Sequence, residues 1–214
     1  MTSTTESPAN HLLLYDVSWE TYSGVIAAFG DRRLRHSYDE GTFEITSPFK
    51  AYEWTNRLIA RLIGAYTIEF DISIQSIGST TLGSEQLQKG LEPDDCYYIS
   101  HEREVRGRSD YDRDRDPPPD LVVEVEVPHR SLNRMEIFGA IGVPEIWRAA
   151  NDGVSFYRLN RSGRYSKIAQ SRELPLFTPA SLDEYLALRK RMSETAIVRR
   201  FVTWVRSTQQ KKTK

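Results

Sequence analysis

Apolar residues at Trp19, Tyr22, Val25, Ile26 and Phe29 recur at helical spacing behind Ser18, a good N-cap, and stop at Gly30. This predicts a first helix. Leu34 to Tyr38 and Thr42 to Thr46 then flank Asp39-Glu40-Gly41, a loop short enough to need a positive φ, and read as an antiparallel hairpin. Ser47-Pro48 opens a second helical stretch with Trp54, Leu58, Leu62 and Ile63 on one stripe, closed by Gly64. From Tyr66 through Ile68, Ile72, Ile74 and Ile77, and again at Thr80 to Leu82, β-branched residues predict strands, followed by a short strand at Cys96 to Ile99. Ser100 to Pro119 is polar, rich in arginine and ends in three prolines, so it reads as an exposed excursion.

Leu121 to Val127 is the strongest strand signal, and a helix from Ser131 to Ile141 stops at Gly142. A meander follows in Glu145 to Ala149, Val154 to Leu159 and Tyr165 to Ala169, turned by Asn151-Asp152-Gly153 and Arg161-Ser162-Gly163. Two helices near Ser181 to Met192 and Ser193 to Arg206 complete a mixed α/β layout. The expected organisation is a flexible start over 1–15, one domain over 16–206 and a disordered basic tail over 207–214.

The chain has 214 residues, enough for a domain that buries roughly 70% of its unfolded surface. A single cysteine, Cys96, permits no internal disulfide, and no apolar run is long enough to span a membrane. The expected location is the cytoplasm. A net charge of −1 argues against a broad basic coat, so any contact with nucleic acid must be local. The four histidines, His11, His36, His101 and His129, have no paired metal-binding spacing, and neither a glycine-rich phosphate loop nor a Ser-His-Asp order is present.

Chemistry concentrates in the acids. Along a strand alternate side chains share a face, so Leu121, Val123, Val125 and Val127 form an apolar side while Asp120, Glu124 and Glu126 point to the other. A second acidic segment, Glu92-Pro93-Asp94-Asp95, enters the strand before the excursion. If the two strands are neighbours, Asp94 and Glu124 meet. Bare carboxylates about 4 Å apart repel by roughly 4 kcal/mol at an effective dielectric near 20, so the cluster calls for a proton, an arginine or a metal. Mg²⁺ suits it, since that ion takes one or two carboxylates together with water and phosphate oxygens.

Three blocks in order, Gly90-Leu91-Glu92-Pro93-Asp94-Asp95-Cys96-Tyr97-Tyr98-Ile99, Pro117-Pro118-Pro119-Asp120-Leu121-Val122-Val123-Glu124-Val125 and Gly142-Val143-Pro144-Glu145-Ile146-Trp147-Arg148, resemble the "Uma two" family. That family is described as restriction endonucleases with the PD-(D/E)XK nuclease fold, and the resemblance runs from about Asp16 to Tyr185. It implies a central mixed sheet flanked by helices around one metal. Asp94 and Glu124 stand at the family's motif acids, both expected metal ligands, and Glu53 stands where a glutamate on an early helix completes the set. The family's usual lysine falls on Arg134, and a common tyrosine falls on Phe138. Arginine can steady phosphoryl charge but cannot act as a base.

The resulting expectation is a Mg²⁺-dependent (or Mn²⁺-dependent) endonuclease acting on DNA. Asp94 and Glu124 would hold the ion, Glu126 or Asp120 would support it through water, and Arg134 would steady the charge that develops on phosphate. Lys89 and Arg130 are the alternative cations. A second reading is a fold that keeps its acidic pocket and binds nucleic acid or protein without cutting. A third is a homodimer subunit in which the meander supplies the contact.

Overall fold

The computed structural model describes residues 11–30, 35–46, 50–108, 111–112, 115–126 and 131–212, with backbone alone at 50–52 and 211–212. Ser47-Pro48, Val127, His129 and Arg130 lie outside these residues.

Two sheets form. The first joins β1 (His11–Leu14), β2 (Arg35–Asp39), β3 (Thr42–Thr46), β5 (Leu82–Ser84) and β6 (Lys89–Leu91) in the order β1-β3-β2-β6-β5, with every pair antiparallel. Its hairpin turns as the sequence indicates, although both Glu40 (φ 44°) and Gly41 (φ 95°) are left-handed. Helix α1 (Trp19–Phe29) lies on this sheet, its start capped by the Ser18 hydroxyl, which accepts from Thr21 N at 3.1 Å. Trp19 and Tyr22 pack there against Tyr38 and Phe43.

The second sheet runs β11-β10-β9-β8-β7-β4, from β4 (Gln75–Ser76), β7 (Asp95–Tyr98), β8 (Leu121–Val125), β9 (Glu145–Ala150), β10 (Gly153–Leu159) and β11 (Tyr165–Ile168). Only the β8–β9 pair is parallel among the described strands. A parallel neighbour requires a crossover, and α4 (Arg134–Ile141), closed by left-handed Gly142, provides it. Helices α2 (Lys50–Glu69), α5 (Pro179–Ala187) and α6 (Glu194–Lys212) cover one face of this sheet, burying Leu62, Tyr66, Val123, Trp147, Phe156 and Phe201 together. Its other face sets Cys96, Val122 and Ile146 against Ile137 and Phe138 of α4 and against Leu82 and Leu91 of the first sheet. The short α3 (Glu102–Val105) lies in the excursion.

Several elements differ from the sequence reading. Gly64 does not end its helix: α2 continues to Glu69, so Tyr66 and Ile68 are helical and the strand expected from Tyr66 shrinks to Gln75–Ser76. Burial of Ile63 and Tyr66 against the sheet outweighs the β-branched tendency and the glycine. Part of the 1–15 stretch is strand β1. The tail is helical as far as Lys212, held by Arg206, whose Nε and Nη2 each donate to Glu69 at 2.8 Å, and by Gln209, which donates to the Glu69 carbonyl. The excursion is anchored as well: Tyr98 donates its hydroxyl to Pro117 O at 2.6 Å, and buried Asp116 pairs with Arg108.

Candidate functional site

Antiparallel pairing of β7 with β8 sets Asp95 opposite Val123, and the next pair in that register is Asp94 with Glu124. The two acids do meet. Asp94 N donates to Glu124 Oε1 at 3.3 Å, and Asp94 Oδ2 accepts from Val125 N at 2.7 Å. Glu124 points away from the α2 side, toward α4, in keeping with its position between inward-facing Val123 and Val125.

Both carboxylates of the pair also meet an arginine. Arg134, the first residue of α4, donates Nε to Glu124 Oε2 and Nη2 to Glu124 Oε1, each at 2.8 Å. Its other N–H groups go to Ser37 Oγ (2.8 Å), Glu92 O (2.8 Å) and His36 O (3.3 Å), so all five donors of the fork are matched inside the protein. Burial opposes the charge on Arg134, but Glu124 and then Asp94 outweigh it and hold its pKa above the usual value. The guanidinium also lies 5.5 Å from the centre of the Phe138 ring, a cation–π contact that a buried arginine uses well.

A second arginine serves Asp94. Arg35 of β2 reaches Asp94 Oδ1 at 3.3 Å, Glu53 Oε1 at 3.5 Å and Glu92 Oε1 at 3.2 Å, and donates to Pro93 O at 2.6 Å. Burial raises the pKa of Glu92, with Arg35 opposing. Between the two arginines His36 is kept neutral, its pKa lowered to about 3 by burial first and then by Arg134 and Arg35. Glu92 belongs to the acidic segment marked in the sequence, whereas Arg35 and Ser37 carry no such mark. A lone arginine in a hairpin carries no local signal of what it will pair with across 50 or more residues.

Glu53 lies on α2, where the sequence reading placed it, at the edge of a cleft of ≈ 340 Å³ shared with Arg35, Asn56, Arg57, Asp94 and Asp95. Arg57 is exposed at this cleft and approaches Glu53 at 3.9 Å. Asp95 has a raised pKa because it is buried, and it accepts from the Tyr97 hydroxyl at 2.5 Å and from Cys96 N. Arg134 does not line this cleft.

Of the two acids expected to support the pair, Glu126 lines a cavity of ≈ 160 Å³ together with Glu124, Arg134 and Arg148, whereas Asp120 lies elsewhere. Glu126 follows the end of β8, half-exposed, and pairs with Arg148. Asp120 is buried and accepts from Ile99 N (2.7 Å), His101 N (3.0 Å) and His101 Nδ1 (2.5 Å), so it fastens the start of the excursion. The alternative cation Lys89 pairs with Asp39 and Glu40 at the hairpin.

The Asp120 contact has a pH consequence. His101 has a pKa raised above its ordinary 6.5, chiefly by the hydrogen bond to Asp120. Its stabilising contribution is therefore full below about pH 6.5 and is lost as pH rises through the folded-state value. The melting temperature of wild type relative to His101→Gln should fall between pH 6.5 and the alkaline side. A difference that stays flat over that range would count against the pairing.

A divalent ion is the group the nuclease resemblance implies, and the donors do not fit one as they are arranged. Both oxygens of Glu124 serve Arg134, and Asp94 serves Val125 N and Arg35. Among the described residues, no three His, Cys, Asp or Glu side chains converge on one point. The oxygen chemistry suits Mg²⁺, but arginine already supplies the opposing charge.

The fold is thus a mixed α/β architecture whose central sheet carries an acidic pair where β7 begins and β8 ends, beside a cleft. Residues 19–188 match the family described as "Uma2: Putative restriction endonuclease", and the chain belongs to that family. A crystal structure described as a putative nuclease belonging to DUF820 from Anabaena variabilis is similar at 13% identity and a TM-score of 0.44, over 79% of this chain and 90% of that one. No curated protein matches the chain. Among the described residues, no helix is long and apolar enough to cross a membrane.

Proposed function

We propose that the chain holds the sugar–phosphate backbone of nucleic acid, DNA in the first instance, in the cleft between α2 and β7, without cutting it. Membership of a nuclease family supports the nucleic-acid part. The observation that carries the second part is the complete engagement of Arg134 with Glu124 and its neighbours. With that fork satisfied internally, Arg134 has no N–H left for a phosphate, and Glu124 has no oxygen left that is not already bonded to it. Arg57, at the cleft and largely exposed, is the cation placed to meet a phosphate.

A second reading, a Mg²⁺- or Mn²⁺-dependent endonuclease with Asp94, Glu124 and Glu53 as its acids, is favoured by the direct contact of Asp94 with Glu124 at the family's motif positions. One set of measurements separates the two. Duplex DNA should bind in fluorescence anisotropy, weaken with salt and weaken further in Arg57→Gln, while supercoiled plasmid stays intact in millimolar Mg²⁺ or Mn²⁺. Nicking by the wild type that disappears in Asp94→Asn would select the endonuclease reading instead. Absence of any DNA binding would remove both.

A further inference from the structure

We infer that Arg134 and Arg35 are the resident cations of the Asp94–Glu124 pair, so that the wild-type protein excludes divalent metal from the position where its family's acids would hold one. The inference goes beyond the DNA-holding reading and does not depend on it.

Three features carry it. First, the pairing is matched atom to atom: the planar fork of Arg134 spans both oxygens of Glu124, so an ion chelated between those two oxygens would have to displace the guanidinium. Second, the fork is fixed from behind by Ser37 Oγ and His36 O of β2 and by Glu92 O of the loop before β7. An ion taking Glu124 would have to leave Arg134 charged and short of acceptors in a buried place, which is costly. Third, Arg35 adds a second positive charge beside Asp94, so a dication at the pair would meet two fixed guanidinium groups at short range. The carboxylate repulsion that calls for a counter-charge is therefore already relieved.

Removing the charge of Arg134 while keeping much of its bulk should reopen the position. The test is Mn²⁺ binding, followed by calorimetric titration and by the loss of the free-ion paramagnetic resonance signal, together with melting curves in Mg²⁺, Mn²⁺ and EDTA. Wild type should show the same melting temperature in all three. Arg134→Met should melt lower in EDTA, recover in Mn²⁺, and bind Mn²⁺ at least about tenfold more tightly than wild type, a factor that corresponds to about 1.4 kcal/mol. The recovery should vanish in Arg134→Met/Glu124→Gln. Should Arg134→Met fail to fold, wild type and Glu124→Gln decide alone: identical responses to Mn²⁺ support the inference. Wild-type uptake of one Mn²⁺ per chain, with a rise in melting temperature that Glu124→Gln or Asp94→Asn abolishes, would overturn it.

Discussion

Arg134→Ala should destabilise the protein by about 3–5 kcal/mol, because it leaves the Glu124 carboxylate buried beside Asp94 without its partner. That is a large part of the roughly 5–15 kcal/mol by which a domain is usually stable. The loss should appear as a shift of the urea midpoint at unchanged slope. Glu124→Gln in the same background should recover part of it, since the uncompensated charge is then gone. Arg134→Lys should fall between wild type and alanine. Lysine keeps the charge and matches the family's usual residue, but its three N–H groups leave some of the five acceptors unmet, and it cannot span two carboxylate oxygens in a plane. An alanine variant within about 1 kcal/mol of wild type would mean that the fork is not the structural clamp described.

The other large effect concerns β8. Val122→Asp should be as damaging as Val123→Asp, each placing a carboxylate where no partner waits, at a cost of several kcal/mol, and soluble yield should collapse for both. Val122 is wholly buried against Cys96, Ile146 and Phe138, and Val123 is wholly buried on the opposite face against the helices. Glu126→Gln should be close to neutral, because that side chain lies half in solvent. If Val122→Asp were soluble and as stable as wild type, the face of β8 toward α4 would be open rather than packed.

The environment of β8 was legible in its sequence on one face and not on the other. Alternation along Leu121 to Val125 correctly separates Glu124 from Val123 and Val125, and the three acidic and apolar blocks bring Asp94 to Glu124 through a strand pairing that the structure contains. Alternation cannot say whether the second face meets water. Here it meets α4 and the first sheet, because a parallel β8–β9 pair needs a covering crossover. Helix starts and stops with a chemical mark were legible, as at Ser18 and Gly142. The end of α2 was not, since only packing of Tyr66 against Phe70 and Phe177 tells it apart from a strand. Arg134 was visible as a departure from lysine, but its orientation was not. That depends on Ser37, His36 O and Glu92 O, which lie 97, 98 and 42 residues away.

Those separations also bear on how the chain folds. The Arg134 fork gathers a hairpin from the first third of the chain, a loop entering β7, and a strand ten residues upstream of it. Closing such long loops costs chain entropy before any of the five bonds is made, so the clamp is expected among the late, non-local contacts of folding. Interactions absent from the folding transition state act on the escape from the native state rather than on its formation. The buried arginine is thus expected to act as a latch on kinetic persistence: Arg134→Ala should speed unfolding more than it slows refolding in stopped-flow measurements.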